Sequence, residues 1–147
     1  MFYTAYVYAE GKRWLAEFPD APGCQTFADS MDELRADARE ALEGWLEVHL
    51  VKGKAPPRPG AHRRAPKGME SMEVHISPSL AAALGIRWAR QDRGMTQGDL
   101  AKLIDVSQQQ VAALENPDKN PTLASIERAA KALGLNLELS FTPARSA

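Results

Sequence analysis

The stretch Ser107-Gln108-Gln109-Gln110 sets three side-chain amides beside a hydroxyl able to cap a helix. A carboxamide offers one acceptor and two donors in a plane, and it pairs bidentately with the N6/N7 edge of adenine. Each good pair is worth ~1–3 kcal/mol of discrimination. Ser107-x-x-Gln110 is also a capping box, in which Gln110 folds back onto the Ser107 amide. Gln108 and Gln109 are then left projecting from the first turn. The same glutamines would equally suit the solvated face of a helix that binds protein.

Other chemistries find little support. A two-metal nuclease needs several carboxylates converging on one point. The candidate central strand, 2–9, holds none; Glu10 sits past its end, and Glu17, Asp20 and Asp29 are scattered. Neither His49 nor His75 has a partner at ligand or triad spacing, and the single cysteine, Cys24, can form neither an intrachain disulfide nor a cysteine zinc site. We therefore expect no enzyme, no metal and no cofactor. No apolar run approaches the ~20 residues of a membrane span, and the N-terminus lacks a basic-then-apolar leader pattern. The cytoplasm is the expected compartment.

Charge is balanced overall, 18 basic against 19 acidic residues, but uneven along the chain. Residues 1–52 carry five basic and ten acidic side chains, residues 53–68 five basic and no acidic ones, and residues 69–147 eight basic against nine acidic. Such asymmetry points to modules with different partners.

These residues must be positioned by regular elements. Aromatic and β-branched FYTAYVYA (2–9) predicts a strand apolar on both faces, and RWLAEF (13–18) alternates as its hairpin partner. PDAPG (19–23) breaks the chain before a short third strand, 24–29. Ser30-x-x-Glu33 opens an amphipathic helix over 31–51 with an acidic outer face. Residues 53–68 hold four prolines and no apolar periodicity, predicting a mobile linker. A fourth strand is expected at 71–76. Ser77-Pro78 starts a helix that Gly94 stops; Thr96, Ser107 and Thr122 cap three more, the last stopped by Gly134. LNLELSF (135–141) alternates as a half-buried strand with no neighbour nearby in sequence, so a second copy or the N-terminal sheet must pair with it.

The segment IRWARQDRGMTQGDLAKLIDVSQQQVAALE, 86–115, resembles the phage-repressor type of helix-turn-helix domain, the XRE family. Leu100, Ile104, Val106, Val111 and Leu114 suit the space between two crossed helices, and Asp105 stands where that family usually has glycine. The resemblance implies that α-helix tip 108–113 enters the major groove. It puts Gln108, Gln109 and Ala113 at base edges. It puts Gln97, Ser107, Asn116, Lys119 and Asn120 at phosphates, and pairs Arg90 with Glu115 as a structural salt bridge.

The N-terminal half, carried by Phe18-Pro19-Asp20-x-Pro22-Gly23-Cys24-x-Thr26-x-x-Asp29-Ser30 and the strand–helix order around it, resembles the HicB family of antitoxins. The resemblance implies an α+β chain: a partial ribonuclease-H-like βββαβ module at 1–76, with the 53–68 linker inside it, and a helix-turn-helix domain at 77–147 with a C-terminal dimerisation strand. It further implies a HicA-type toxin partner, a small basic mRNA-cleaving protein, and repression of the operon as a homodimer or homotetramer on operator DNA. An acidic face can mimic RNA phosphate toward such a partner; Asp20, Asp29, Asp32, Glu33 and Glu40 are the expected contacts. The alternative is a ligand-sensing transcriptional regulator without a toxin partner.

Overall fold

The computed structural model describes residues 1–61 and 64–144; Arg63 of the basic stretch lies outside the described residues. The chain forms two compact units, Met1–Pro78 and Ser79–Ala147.

In the first unit, four strands build one antiparallel sheet: β1 (Phe2–Glu10), β2 (Arg13–Glu17), β3 (Gln25–Ala28) and β4 (Glu70–His75), in the order β3-β2-β1-β4. The register places Ala5 opposite Met72, Val7 opposite Ala16 and Ala16 opposite Thr26. Because alternate residues share a face, Tyr3, Ala5, Val7, Ala16, Ala28, Met72 and Val74 form one buried surface. Against the sheet lies α1 (Met31–Val51), which turns inward Leu34, Ala38, Leu42, Leu46 and Leu50 at four-residue spacing. Each fully buried leucine contributes ~1.5–3 kcal/mol. Ser30 Oγ accepts from the Glu33 N–H at 3.2 Å, fixing the start of α1. Cys24 is buried, which pushes its thiol pKa up and leaves it an inert packing group.

The stretch 53–68 is not the mobile linker its composition suggests. β3 lies parallel to β1, and α1 carries the chain back along the sheet. An immediate return into β4 would make β4 parallel to β1, the geometry of a crossover. Instead the chain runs the length of the sheet once more, and β4 enters opposite Val7 and leaves opposite Phe2. Part of the segment is pinned on the way: Pro56 is buried, the buried Tyr3 hydroxyl donates to Pro57 O at 2.8 Å, and Gly60 N donates to Asp20 Oδ2 at 2.8 Å. Composition misled because proline suits an extended strap as well as a free tether.

In the second unit, α2 (Pro78–Asp92), α3 (Gln97–Leu103), α4 (Gln108–Leu114) and α5 (Leu123–Ala132) surround a core of Ile86, Leu100, Ile104, Val111, Leu114, Ile126, Ala129 and Leu133. Gly94 closes α2 with φ +63°. Asp105 takes the left-handed conformation (φ +55°) between α3 and α4, as the short polar side chain allows.

The expected strand at 135–141 is not formed. Residues 135–144 carry no regular secondary structure in the single chain, and Leu135, Leu137, Leu139 and Phe141 are exposed. A strand needs a neighbour to take its backbone groups, and local alternation supplies none.

The strap makes a testable demand. Burial raises the Tyr3 phenol pKa, with the Asp20 carboxylate adding to the rise, so Tyr3 stays a donor through neutral pH. A raised pKa contributes stability that is present below the ordinary phenol value and lost as pH climbs above it. Tyr3→Phe should cost about 1 kcal/mol in urea unfolding at neutral pH; an unchanged midpoint would show that the strap bond contributes nothing.

Candidate functional site

The start of α4 is built as its sequence demands. Ser107 Oγ accepts from the Gln110 N–H at 3.2 Å, and Gln110 Oε1 accepts from the Ser107 N–H at 2.8 Å. Both side chains are therefore occupied within the cap. Gln108 and Gln109 stand exposed on the first turn with no such duty. Ala113, one turn beyond Gln109, is half-buried, whereas Ala112, one turn beyond Gln108, is exposed. Ala112 is a face residue that the sequence reading passed over, although its four-residue spacing from Gln108 marks it.

What aims this helix is a buried charge cluster at its far end. Glu115, C-cap of α4, is 2% exposed. Arg90 Nε donates to Glu115 Oε1 at 2.9 Å, Arg90 Nη2 to Oε2 at 3.3 Å, and Arg90 Nη1 to Met95 O at 2.7 Å. The expected Arg90–Glu115 pair is thus bidentate. Two further groups that sequence reading had not placed here join it. Arg87 Nε stands 3.5 Å from Glu115 Oε1, and Gln97 Nε2 donates to Oε2 at 2.6 Å. Arg87 lies one turn before Arg90 on α2, so helical spacing could have flagged it. Gln97, expected at phosphate, instead turns its amide N–H onto the carboxylate that joins α2, α3 and α4.

The remaining expected phosphate residues divide. Lys119 and Asn120 are exposed. Asn116 uses Oδ1 to cap the short 3₁₀ turn Pro117–Lys119, accepting from Asp118 N at 2.9 Å, and Asn120 follows it with φ +46°. At α3, Thr96 and Asp99 cap reciprocally, and the hydrogen bonds from Thr96 hold the Asp99 carboxyl below its usual range. A cleft of about 280 Å³, lined by Val106, Gln110, Ala113, Pro121, Ser125 and Arg128 among others, opens between α4 and α5.

In the first unit the expected acidic contacts do not form one set. Asp32, Glu33 and Glu40 are exposed on α1, where Glu33, Asp37 and Glu40 lie in one stripe that continues through Gly44 to exposed Val48 and Val51. Asp29 is exposed at the corner before α1, with Arg13 Nε 3.9 Å away. Asp20 is turned toward the strap, where Gly60 N and the neighbouring Tyr3 occupy it. Glu43 likewise accepts from Ser77 N at 2.6 Å and pairs with Arg39 at 3.3 Å. Among the described residues no group of three or more His, Cys, Asp or Glu is placed to hold a metal ion. No helix among them is long and apolar enough to cross a membrane.

Fold and site together define a chain with an antiparallel sheet-and-helix module and a helix-turn-helix module whose second helix presents free amides. Comparison with known proteins gives the same division. Residues 3–73 match the family of HicB-like antitoxins of bacterial toxin-antitoxin systems, and residues 86–139 match the helix-turn-helix family. Two relatives come from Photorhabdus laumondii subsp. laumondii. "Antitoxin HicB 1" is 27% identical over 128 residues, spanning 87% of this chain and 78% of its own length. "Antitoxin HicB 2" is 26% identical over 126 residues, spanning 86% of each. Among solved structures, a chain of a "HicA3 and HicB3 toxin-antitoxin complex" aligns at TM-score 0.47 and 23% identity, covering 53% of this chain and all of its own. A chain of a HipA-HipB-O2-O3 complex aligns at TM-score 0.41 and 30% identity over 47% of this chain and 97% of its own. By its first unit and its second, the chain belongs to the HicB-family antitoxins that carry a helix-turn-helix domain.

Removing one partner from a buried ion cluster strands the other charges, at ~3–5 kcal/mol. Glu115→Leu should therefore unfold the second unit at markedly lower urea than the wild type, whereas Arg13→Leu, at an exposed pair, should shift it by less than ~1 kcal/mol. Equal effects from the two would mean that the cluster does not fix the helices.

Proposed function

We propose that the chain neutralises a HicA-type, mRNA-cleaving toxin by covering it, and represses its own operon by reading operator DNA as a multimer in the cytoplasm. The family assignment of both units on one chain is the observation that carries this reading. The two units divide the work. The exposed α1 stripe of Glu33, Asp37 and Glu40 offers a basic partner the charge pattern of a nucleic-acid backbone, and Val48 and Val51 extend it with apolar surface. This face steers encounter and excludes RNA from the same cationic surface. It is a binding role, with no reaction assigned to this chain.

In the second unit, Gln108 and Gln109 read adenine edges, with Ala113 or Ala112 against a thymine methyl. Lys119 and Asn120 contact phosphate and set register rather than sequence. The helix-turn-helix segment is not basic, so non-specific attraction to DNA is weak. Occupancy then depends on two copies reading two half-sites together.

Gln108→Ala combined with Gln109→Ala should abolish the mobility shift of a fragment from upstream of the gene, while the variant still rescues growth from a co-expressed toxin. Simultaneous loss of both activities would contradict the division of labour. Conversely, reversing Glu33, Asp37 and Glu40 to lysine should weaken toxin capture roughly tenfold or more, and most at low salt. The operator shift should be unchanged. Capture indifferent to the reversal would move the toxin-binding face elsewhere.

A further inference from the structure

The segment that follows α5 is fixed at its root and bare along its length. Leu133 is buried and caps the helix, Gly134 turns out of it with φ +73°, and Leu135 N donates back to Ala130 O at 2.8 Å. The guanidinium of Arg93 crosses directly over Gly134, leaving no room for a Cβ there. Beyond this rigid exit, Leu137, Leu139 and Phe141 are 40%, 61% and 93% exposed, all on one side of an extended chain. Asn136, Glu138 and Ser140 take the other side.

We propose that this tail pairs with the same tail of a second copy, as a two-fold antiparallel ribbon centred on Leu139. The sheet of the first unit is a poorer partner, whichever copy supplies it. Its β3 edge offers only Gln25–Ala28, four residues. Its β4 edge would set Glu138 in the same row as Glu73 once the apolar faces are matched. A second tail supplies an edge of equal length with matching faces.

The register follows from side-chain chemistry. In a two-fold antiparallel pair, opposite residues are spaced equally about the axis. Centring on Glu138 sets two carboxylates face to face, which is destabilising. Centring on Leu137 sets Phe141 opposite Leu133, which is already buried in the helix end. Centring on Leu139 sets Leu139 against itself and Leu137 against Phe141 twice. It also places Glu138 beside Ser140 and Asn136 beside Thr142, both able to hydrogen-bond. The ribbon then ties two α4 helices through a short rigid root rather than a flexible joint. This deepens the multimeric part of the proposed function; it rests on that reading for its purpose, and its test uses neither DNA nor toxin.

The test is oxidative cross-linking of the full-length chain carrying one new cysteine at 137, 138 or 139, with the wild type, whose buried Cys24 is its only thiol, as the blank. Around a Leu139 axis the two copies of residue 137 lie ~13 Å apart along the ribbon, beyond disulfide reach. Leu139→Cys should give covalent dimer roughly tenfold faster than Leu137→Cys or Glu138→Cys, with none from the wild type. Leu139→Asp should sediment as a smaller species than wild type with unchanged helical circular dichroism. Fastest linkage at 137 or 138, equal linkage at all three, or a wild-type chain that sediments as a monomer at ~10 μM would each overturn the proposal.

Discussion

The buried carboxylate of Glu115 is the constraint on which the DNA-facing half depends. It ends α4 and draws Arg87 and Arg90 of α2 and Gln97 of α3 to one point. Isolated, such a charge would be prohibitive inside a small core. Surrounded by three donors, it locks three short helices at one mutual angle. α3 and α4 are only seven residues each, too short to hold themselves. The capping boxes at Thr96 and Ser107 set where each helix begins. The Glu115 cluster sets where α4 points, and hence which amides face outward.

The first unit solves a different problem. Its apolar surface is divided among a sheet face, α1 and a proline-containing strap, and its outer helix face is left to acidic side chains. Fixing the strap through Tyr3, Pro57, Asp20 and Gly60 lets β4 close the sheet antiparallel. The same contacts withdraw Asp20 from the surface. What remains outward is the stripe of Glu33, Asp37 and Glu40, whose charge is suited to a cationic partner and unsuited to nucleic acid. The two units therefore present opposite recognition chemistries on one chain.

The sequence displayed most of what is local. The span 31–51 of α1, the caps at Ser107 and Thr96, the left-handed Asp105 and the order of strands all follow from residue spacing within a few positions, and all are present. What spacing could not show were partners distant along the chain. Nothing near Gln97 points to Glu115, 18 positions away, and nothing near Asp20 points to Gly60, 40 positions away. The segment 135–141 shows the converse failure. Its alternation is the pattern of a strand, yet alternation specifies a face and not a neighbour. In the single chain that neighbour is missing.

The central claim is that one chain holds two recognition surfaces usable at once. Its most direct test mixes the full-length protein in equimolar amounts with the small basic product of the adjacent gene and a DNA fragment from upstream of that gene. The mixture is then resolved by native electrophoresis. The account predicts a DNA band shifted by the chain alone and shifted further, intact, when the basic protein is added. A chain that shifts no DNA and captures no partner, or one that must release the DNA stoichiometrically to bind the partner, would contradict it.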